Sequence, residues 1–321
     1  MNRLNFDIRY AVLILPPYFV FIILNFVLLA LSDSTLDLGI TEFASHANAQ
    51  ELIGRYRVMA AGIFSISMSI AILIVFAVNL WVGFEPRVWA IAVGAVVVCS
   101  VIGYVAQESL PDWADEASIT KMVDRPFFHS ALAQGHVTAC AAGVADCGTW
   151  GAAWVHGFFS RPVDALNLIA APMVLFGMIL ALAAVPRGAV TTEGLKRAHD
   201  ILQRYLYLSG LLLSSGMLFM NAWMRWPTKV IADGELQAIY GDLVSSLSLY
   251  IGTGFTLMIL AAYLPVMLIL RARTEEFGRD NVPDASVPAA TYTDSIRTVV
   301  AILSPILASA VGGFGQGAIF G

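Results

Sequence analysis

The sequence has few charged residues and almost no cysteine. Of its 321 residues, 13 % are charged and three are cysteines. An ordinary soluble domain carries about 25 % charged residues, so this composition excludes one. Hydrophobic residues instead make up 58 % of the chain. Such a surplus predicts a protein of the lipid bilayer.

The charge-free stretches predict six transmembrane helices. A helix of roughly 20 residues crosses the roughly 30 Å hydrocarbon core of a bilayer. The runs of sufficient length are Tyr10–Leu31, Val58–Phe84, Arg87–Gln107, Ala165–Val185, Tyr205–Trp223 and Leu247–Leu270. Their apolar residues stand at consecutive positions, unlike the alternating strands of a membrane barrel. Prolines are expected to kink these helices at Pro16, Pro17, Pro172 and Pro265.

The predicted fold class is all-α, a polytopic membrane protein with six transmembrane helices, a compact extracytoplasmic loop and an apolar C-terminal helix. The predicted parts are residues 1–107 (first three spans), 108–164 (outer loop), 165–270 (last three spans, with a cytoplasmic linker at 186–204), 271–294 (polar linker) and 295–321 (apolar helix). An apolar stripe marks the last part, with Ser304 and Ser309 on its other side. It suits an interfacial or docking helix, and a seventh span is the alternative.

The basic residues predict which end of the chain is cytoplasmic. With the N-terminus inside, eleven of the 18 lysines and arginines are cytoplasmic and seven are outside. Three of those seven lie in the long loop, which translocates largely regardless of charge. The positive-inside rule therefore predicts a multi-pass protein of the plasma (inner) membrane with a cytoplasmic N-terminus.

Two of the cysteines, Cys140 and Cys147, fall in this outer loop. An oxidising compartment favours a disulfide between an isolated pair of this kind. The alternative is a zinc or copper site, whose candidate ligands are His129, His136, Cys140, Cys147 and His156. Their spacings match no standard metal motif. The remaining cysteine, Cys99, lies within the third span and is expected to be a buried apolar residue.

The spans lack the residues that drive transport or catalysis. No ionisable side chain lies near the centre of any of them, which argues against an ion-coupled pump. The sequence also lacks a His-Glu-x-x-His helix, a Gly-x-Ser-x-Gly elbow and a nucleotide-binding phosphate loop. We therefore expect neither an enzyme nor a resident cofactor, apart from the metal alternative in the outer loop.

Small and hydroxylated residues recur at helical spacing in three spans. Residues of this kind form either helix-packing surfaces or the lining of a water-filled path. The candidates for a pore or packing face are Ser65, Ser69, Ser209, Ser214, Ser215, Asn221, Ser248, Gly252 and Thr256. They lie in the second, fifth and sixth runs.

Three functions are compatible with these patterns. The first is a passive channel or pore-type protein that forms a homo-oligomer. The second is a membrane sensor, scaffold or assembly subunit that binds a membrane or cytoplasmic protein through its outer loop and tail. The third is a metal-handling protein or intramembrane enzyme. Nothing in the composition suggests a nucleic-acid partner, because the net charge is −5.

Overall fold

The structure is a computed structural model that describes residues 6–31, 47–108, 161–186, 190–226, 228, 231–281 and 292–318. These residues form helices and no strand. The helices are α1 (Leu15–Leu31), α2 (Ala47–Gly83), α3 (Pro86–Glu108), α4 (Arg161–Leu180), α5 (Thr192–Arg225), α6 (Gly234–Asn281) and α7 (Tyr292–Ala318). Short 3-10 segments at Ile8–Ile14 and Ala181–Ala184 precede α1 and follow α4.

Six of the helices are long and apolar enough to cross a membrane. They correspond to the six predicted runs, so the predicted all-α, multi-pass fold class is confirmed. Polar turns extend α2, α5 and α6 beyond their runs, whereas α1 starts five residues into its run because a 3-10 segment precedes it. α6 continues to Asn281, so residues 271–281 of the predicted polar linker are helical.

The prolines act differently from one another. Pro172 and Pro265 stand inside α4 and α6, as expected for kinks. Pro16 and Pro17 instead fall in the first turn of α1, which begins at Leu15. The missing backbone N–H costs nothing there, because the first N–H groups of a helix have no partner within it. A 3-10 turn leads into this start, and Asp7 caps that turn by accepting a hydrogen bond from the N–H of Arg9 (3.0 Å).

Contacts between the helices define two faces of the bundle. Tyr10, before α1, touches Arg273 near the end of α6, whereas the carbonyl of Leu24 accepts a hydrogen bond from the hydroxyl of Tyr250 (2.8 Å). α1 and α6 therefore run antiparallel. We call the end at which α1 begins, α2 ends and α5 begins the N-terminal face, and the other end the opposite face.

α5 is the central helix of the bundle. It contacts α2, α4, α6 and α7, whereas α1 packs mainly on α6 and α3 on α4. Thr191 caps α5 by accepting a hydrogen bond from the N–H of Gly194 (3.0 Å). The first turns bury Ala198 and Leu202 completely, so the apolar side of this segment is used within the bundle.

The C-terminal helix α7 lies along α5 and α6. An added Cβ at Gly210 of α5 would lie 2.6 Å from the carbonyl oxygen of Ala301, and one at Gly252 of α6 would lie 2.9 Å from that of Pro305. Only glycine permits such an approach between helix backbones. In α5, Gly210 lies in the half of the apolar run nearer the N-terminal face. In α6, Gly252 lies in the half nearer the opposite face. Because α7 contacts both, it passes the middle of the apolar layer.

Candidate functional site

Several buried polar side chains of the spans lie at two helix junctions that α5 takes part in. At the first, among α2, α4 and α5, the buried hydroxyl of Ser69 donates a hydrogen bond to Oδ1 of Asn167 on α4 (3.0 Å). Gly216 of α5 lies beside this amide, where an added Cβ would make an ordinary contact at 3.8 Å from Nδ2 of Asn167. Ser65, one turn away on α2, is fully buried and its Oγ has no protein partner in the described structure.

The second junction, which we call the α5–α6–α7 junction, is built on a hydrogen bond between α5 and α6. The hydroxyl of Ser248 donates to Oδ1 of Asn221, and both side chains are buried. Nδ2 of the same amide is buried without a hydrogen-bond partner in the described part of the chain. The hydroxyls of Ser214 and Thr256 lie about two turns nearer the N-terminal face. They too are buried without a hydrogen-bond partner among the described residues. Ser214 follows Gly210 by four residues and Thr256 follows Gly252 by four, so both stand on the sides of α5 and α6 that face α7. Helical spacing therefore places the three unpaired groups at one helix junction.

These unpaired groups destabilise the junction if it contains no water. A buried donor or acceptor without a partner costs about 1–3 kcal/mol. Asn221 brings an N–H donor, and the two hydroxyls can both donate and accept. These groups therefore keep hydrogen-bonding capacity that no protein group of the described chain uses.

The other candidate residues of the pore or packing face have different environments. Ser209 and Ser215 are fully buried but donate to carbonyl groups of their own helix, those of Leu206 (2.8 Å) and Leu212 (2.7 Å). Their hydroxyls are thus occupied without reaching another helix. Gly252 contacts α7, where its added Cβ would lie 2.7 Å from Oγ of Ser309, so its structural role is close packing.

Towards the N-terminal face the interior is densely apolar. The ring of Tyr205 is 1 % exposed and fills the space beside Gly177, where any Cβ would overlap it. The ring of Phe76 meets it edge-on at 6.2 Å between centroids. The hydroxyl of Tyr205 accepts a hydrogen bond from Nδ2 of Asn79 (3.1 Å). Oδ1 of the same Asn79 amide accepts a hydrogen bond from Arg204 (2.9 Å). This half of the bundle is filled by an aromatic side chain whose hydroxyl is hydrogen-bonded.

The predicted disulfide and metal ligands lie outside the described residues. Cys140, Cys147, His129, His136 and His156 all belong to residues 109–160, so these remain predictions. Within the described ranges, no group of three His, Cys, Asp or Glu side chains is arranged to hold a metal ion. Cys99 is a free, buried thiol, as expected from its place in the third span.

Sequence reasoning missed two residues that the structure brings into these networks. Asn167 follows Asp164 at the start of an apolar run and was counted only as part of that run. Asn79 stands near the end of α2, seven positions from Ile72, which lies on the same buried face. An isolated amide within an apolar span was the available signal for both, since a helix amide in lipid needs a partner.

Fold and site together define a class: a multi-pass helical membrane protein whose polar groups are gathered at helix junctions around one central helix. No family model, curated protein or solved structure matches the chain at a meaningful level.

Proposed function

We propose that this protein is a passive membrane channel for small, uncharged polar solutes, and that the α5–α6–α7 junction is its path. The observation that carries the proposal is the set of three buried polar groups, on Ser214, Asn221 and Thr256, that have no partner among the residues the structure describes. In an otherwise apolar interior such groups are unfavourable unless water or a solute bonds to them.

The spacing of these groups suits a file of small molecules. Ser214 and Asn221 are seven residues apart on α5, which is about 10 Å along the helix axis. Thr256 lies eight residues from Ser248, the partner of Asn221. A solute moving along the junction would thus exchange one hydrogen bond for the next. No charged side chain lies in the middle of the described spans, and this favours neutral solutes over ions.

In this proposal α7 is a seventh membrane crossing that closes the junction. Its small residues Ala301 and Ser309 are turned towards α5 and α6, and both are buried. The predicted apolar stripe faces away from the bundle, with Val299 and Val300 about half exposed. A helix with small residues inward and large apolar residues outward suits lipid. Residues 298–318 carry no charge and measure about 31 Å as a helix.

The remaining expectations are part of the same proposal. We propose a homo-oligomer in the inner membrane, with a cytoplasmic N-terminus, no enzymatic activity and no resident cofactor. The exposed apolar sides of α2 and α3, which include Ile74 and Val97, are available to lipid or to a second copy.

The sensor or scaffold hypothesis has less support. It relied on the outer loop, which lies outside the described residues, and on the C-terminal tail. The helix of that tail, α7, packs on α5 and α6 of its own chain, so that side of it is not free for a partner. The competing structural interpretation is that the junction is only a packing surface.

Solute flux in proteoliposomes separates these interpretations. We would measure glycerol and urea entry by stopped-flow light scattering for the wild type and two double variants. Ser214→Ala with Thr256→Val removes two unpaired hydroxyls, so folding should be preserved. Ser209→Ala with Ser215→Ala is the matched control, because it removes two hydroxyls that bond only to their own helix.

The proposal expects wild-type flux well above that of empty liposomes, at least a tenfold loss in the first variant, and a change of less than twofold in the control. Wild-type vesicles no more permeable than empty ones would contradict it. Equal flux in both double variants would mean that the solute path does not follow this junction. Potassium or chloride flux as fast as glycerol flux would contradict the neutral solute class.

A further inference from the structure

Arg273 is a buried cation at the edge of the apolar layer. It stands three residues after Leu270, the last residue of the sixth apolar run, about 4.5 Å further along the axis of α6. That position corresponds to the headgroup region of a bilayer. The side chain is only 7 % exposed.

The surroundings of Arg273 leave its charge unbalanced. The guanidinium lies over the ring of Tyr10, 5.3 Å from its centroid, and Nη2 donates a hydrogen bond to the Tyr10 hydroxyl. Nη1 is buried and has no hydrogen-bond partner in the described chain. No carboxylate of the described residues pairs with Arg273. An isolated buried cation is strongly unfavourable unless an anion accompanies it.

Arg271, two residues earlier on the same helix, is a useful contrast. Its side chain is 72 % exposed and pairs with Glu275, with 3.1 Å between Nε and Oε1. Both arginines have the same chemistry and nearly the same depth. Only the buried one lacks an acidic partner in the described structure.

We propose that Arg273 binds the phosphate of an anionic lipid headgroup at the N-terminal face. A guanidinium forms strong, charge-assisted hydrogen bonds to phosphate and offers two donors side by side. The Tyr10 ring holds the guanidinium from one side, which leaves Nη1 for the ligand. Because Nη1 is buried, binding at this site requires the side chain to move until that atom meets the headgroup. This site is independent of the proposed conduction path.

Lipid binding can be measured on the full chain in detergent. We would purify the wild type, Arg273→Gln, Arg273→Lys and Arg271→Gln, and titrate each with phosphatidylglycerol, with phosphatidylcholine and with inorganic phosphate. Native mass spectrometry counts bound lipid, and the shift of the melting temperature reports binding independently. Arg271→Gln removes an equal charge from the same helix and is the matched control.

We expect phosphatidylglycerol to bind the wild type and the control with affinities within twofold of each other. Arg273→Gln should lose at least tenfold in affinity, and Arg273→Lys should lie between them, because an ammonium keeps the charge but not the paired donors. If Arg273→Gln fails to fold, Arg273→Lys still tests the site. Equal affinity in all four proteins would overturn the proposal. Displacement of the lipid by inorganic phosphate would assign the site to free phosphate instead.

Discussion

The two halves of the bundle solve the problem of buried polarity in different ways. Towards the N-terminal face, Tyr205 is enclosed by Phe76 and Gly177, and its hydroxyl accepts a hydrogen bond from Asn79. Towards the opposite face, junctions with hydroxyl and amide groups leave several atoms without a protein partner. Within the apolar layer, the half near the N-terminal face is therefore densely packed, whereas the middle and the opposite half contain buried polar atoms without a partner among the described residues.

The largest expected effect concerns α7, which touches both halves. If α7 crosses the membrane, a reporter fused after Gly321 lies on the other side from one fused after Asn281. An alkaline phosphatase and green fluorescent protein pair would reveal this, because each is active on one side only. The same reporter phenotype at both positions would contradict a seventh crossing and favour an interfacial helix.

Loss of the enclosed aromatic ring should destabilise the densely packed half most. We expect Tyr205→Ala to lower the free energy of unfolding by about 3–5 kcal/mol, as for other large aromatic truncations. Tyr205→Phe keeps the ring and removes only the hydroxyl, so its cost should be about 1 kcal/mol. Unfolding in detergent, followed by tryptophan fluorescence, would check both. Equal costs would mean that the hydrogen bond to Asn79, and not packing, holds this half together.

A side chain at Gly252 should separate α7 from α6. Gly252→Leu would place atoms against Pro305 and Ser309, and overpacking of this kind costs about 1–3 kcal/mol. Gly94→Leu is the control, because no atom lies within 4 Å of a Cβ at that position. Protease sensitivity of the C-terminal segment, together with unfolding, measures the effect. If both leucines are tolerated alike, the close approach of α7 is not important for stability.

The smallest expected effect tests whether water or solute is present beside Thr256 at the α5–α6–α7 junction. Thr256→Val removes a hydroxyl without changing the size of the side chain. If water or solute bonds to that hydroxyl, we expect a loss of stability of about 0.6 kcal/mol, which is typical of a polar contact between membrane helices. A dry junction would instead gain about 1–3 kcal/mol, because the unpaired group is removed. The sign of the change measured by unfolding in detergent is therefore the readout.

Much of the fold could be predicted from the sequence. Charge-free runs such as Val58–Phe84 predict membrane helices because lipid forces each backbone to satisfy its own hydrogen bonds. The start of α5 can also be predicted, because the capping residue Thr191 precedes an amphipathic segment. Helix ends in polar sequence, such as Asn281 of α6, cannot be predicted in this way, because little in composition separates a polar helix from a linker.

The candidate site was predicted only as a set of residue types. Ser209, Ser214 and Ser215 look alike in the sequence, but Ser209 and Ser215 bond to their own helix whereas Ser214 does not. Which hydroxyl lacks a hydrogen-bond partner depends on the side-chain rotamer and on the neighbouring helix. Neither can be read from the residues next to it in the sequence. The stripe on α7 illustrates the same limit. Its apolar side is predicted to lie in the interface or to dock on a neighbour, which stays a prediction, and only the structure shows that the small residues on its other side contact α5 and α6.

The sequence by itself determined that this is a helical membrane protein with six long spans, because hydrophobicity and length are sums over local residues. Only the tertiary structure decided that α5 is central, that α7 lies in a groove lined by Gly210 and Gly252, and that Asn221 meets Ser248. Apolar helices are nearly equivalent towards lipid, so their arrangement follows from backbone approach and hydrogen bonds between residues far apart in the chain.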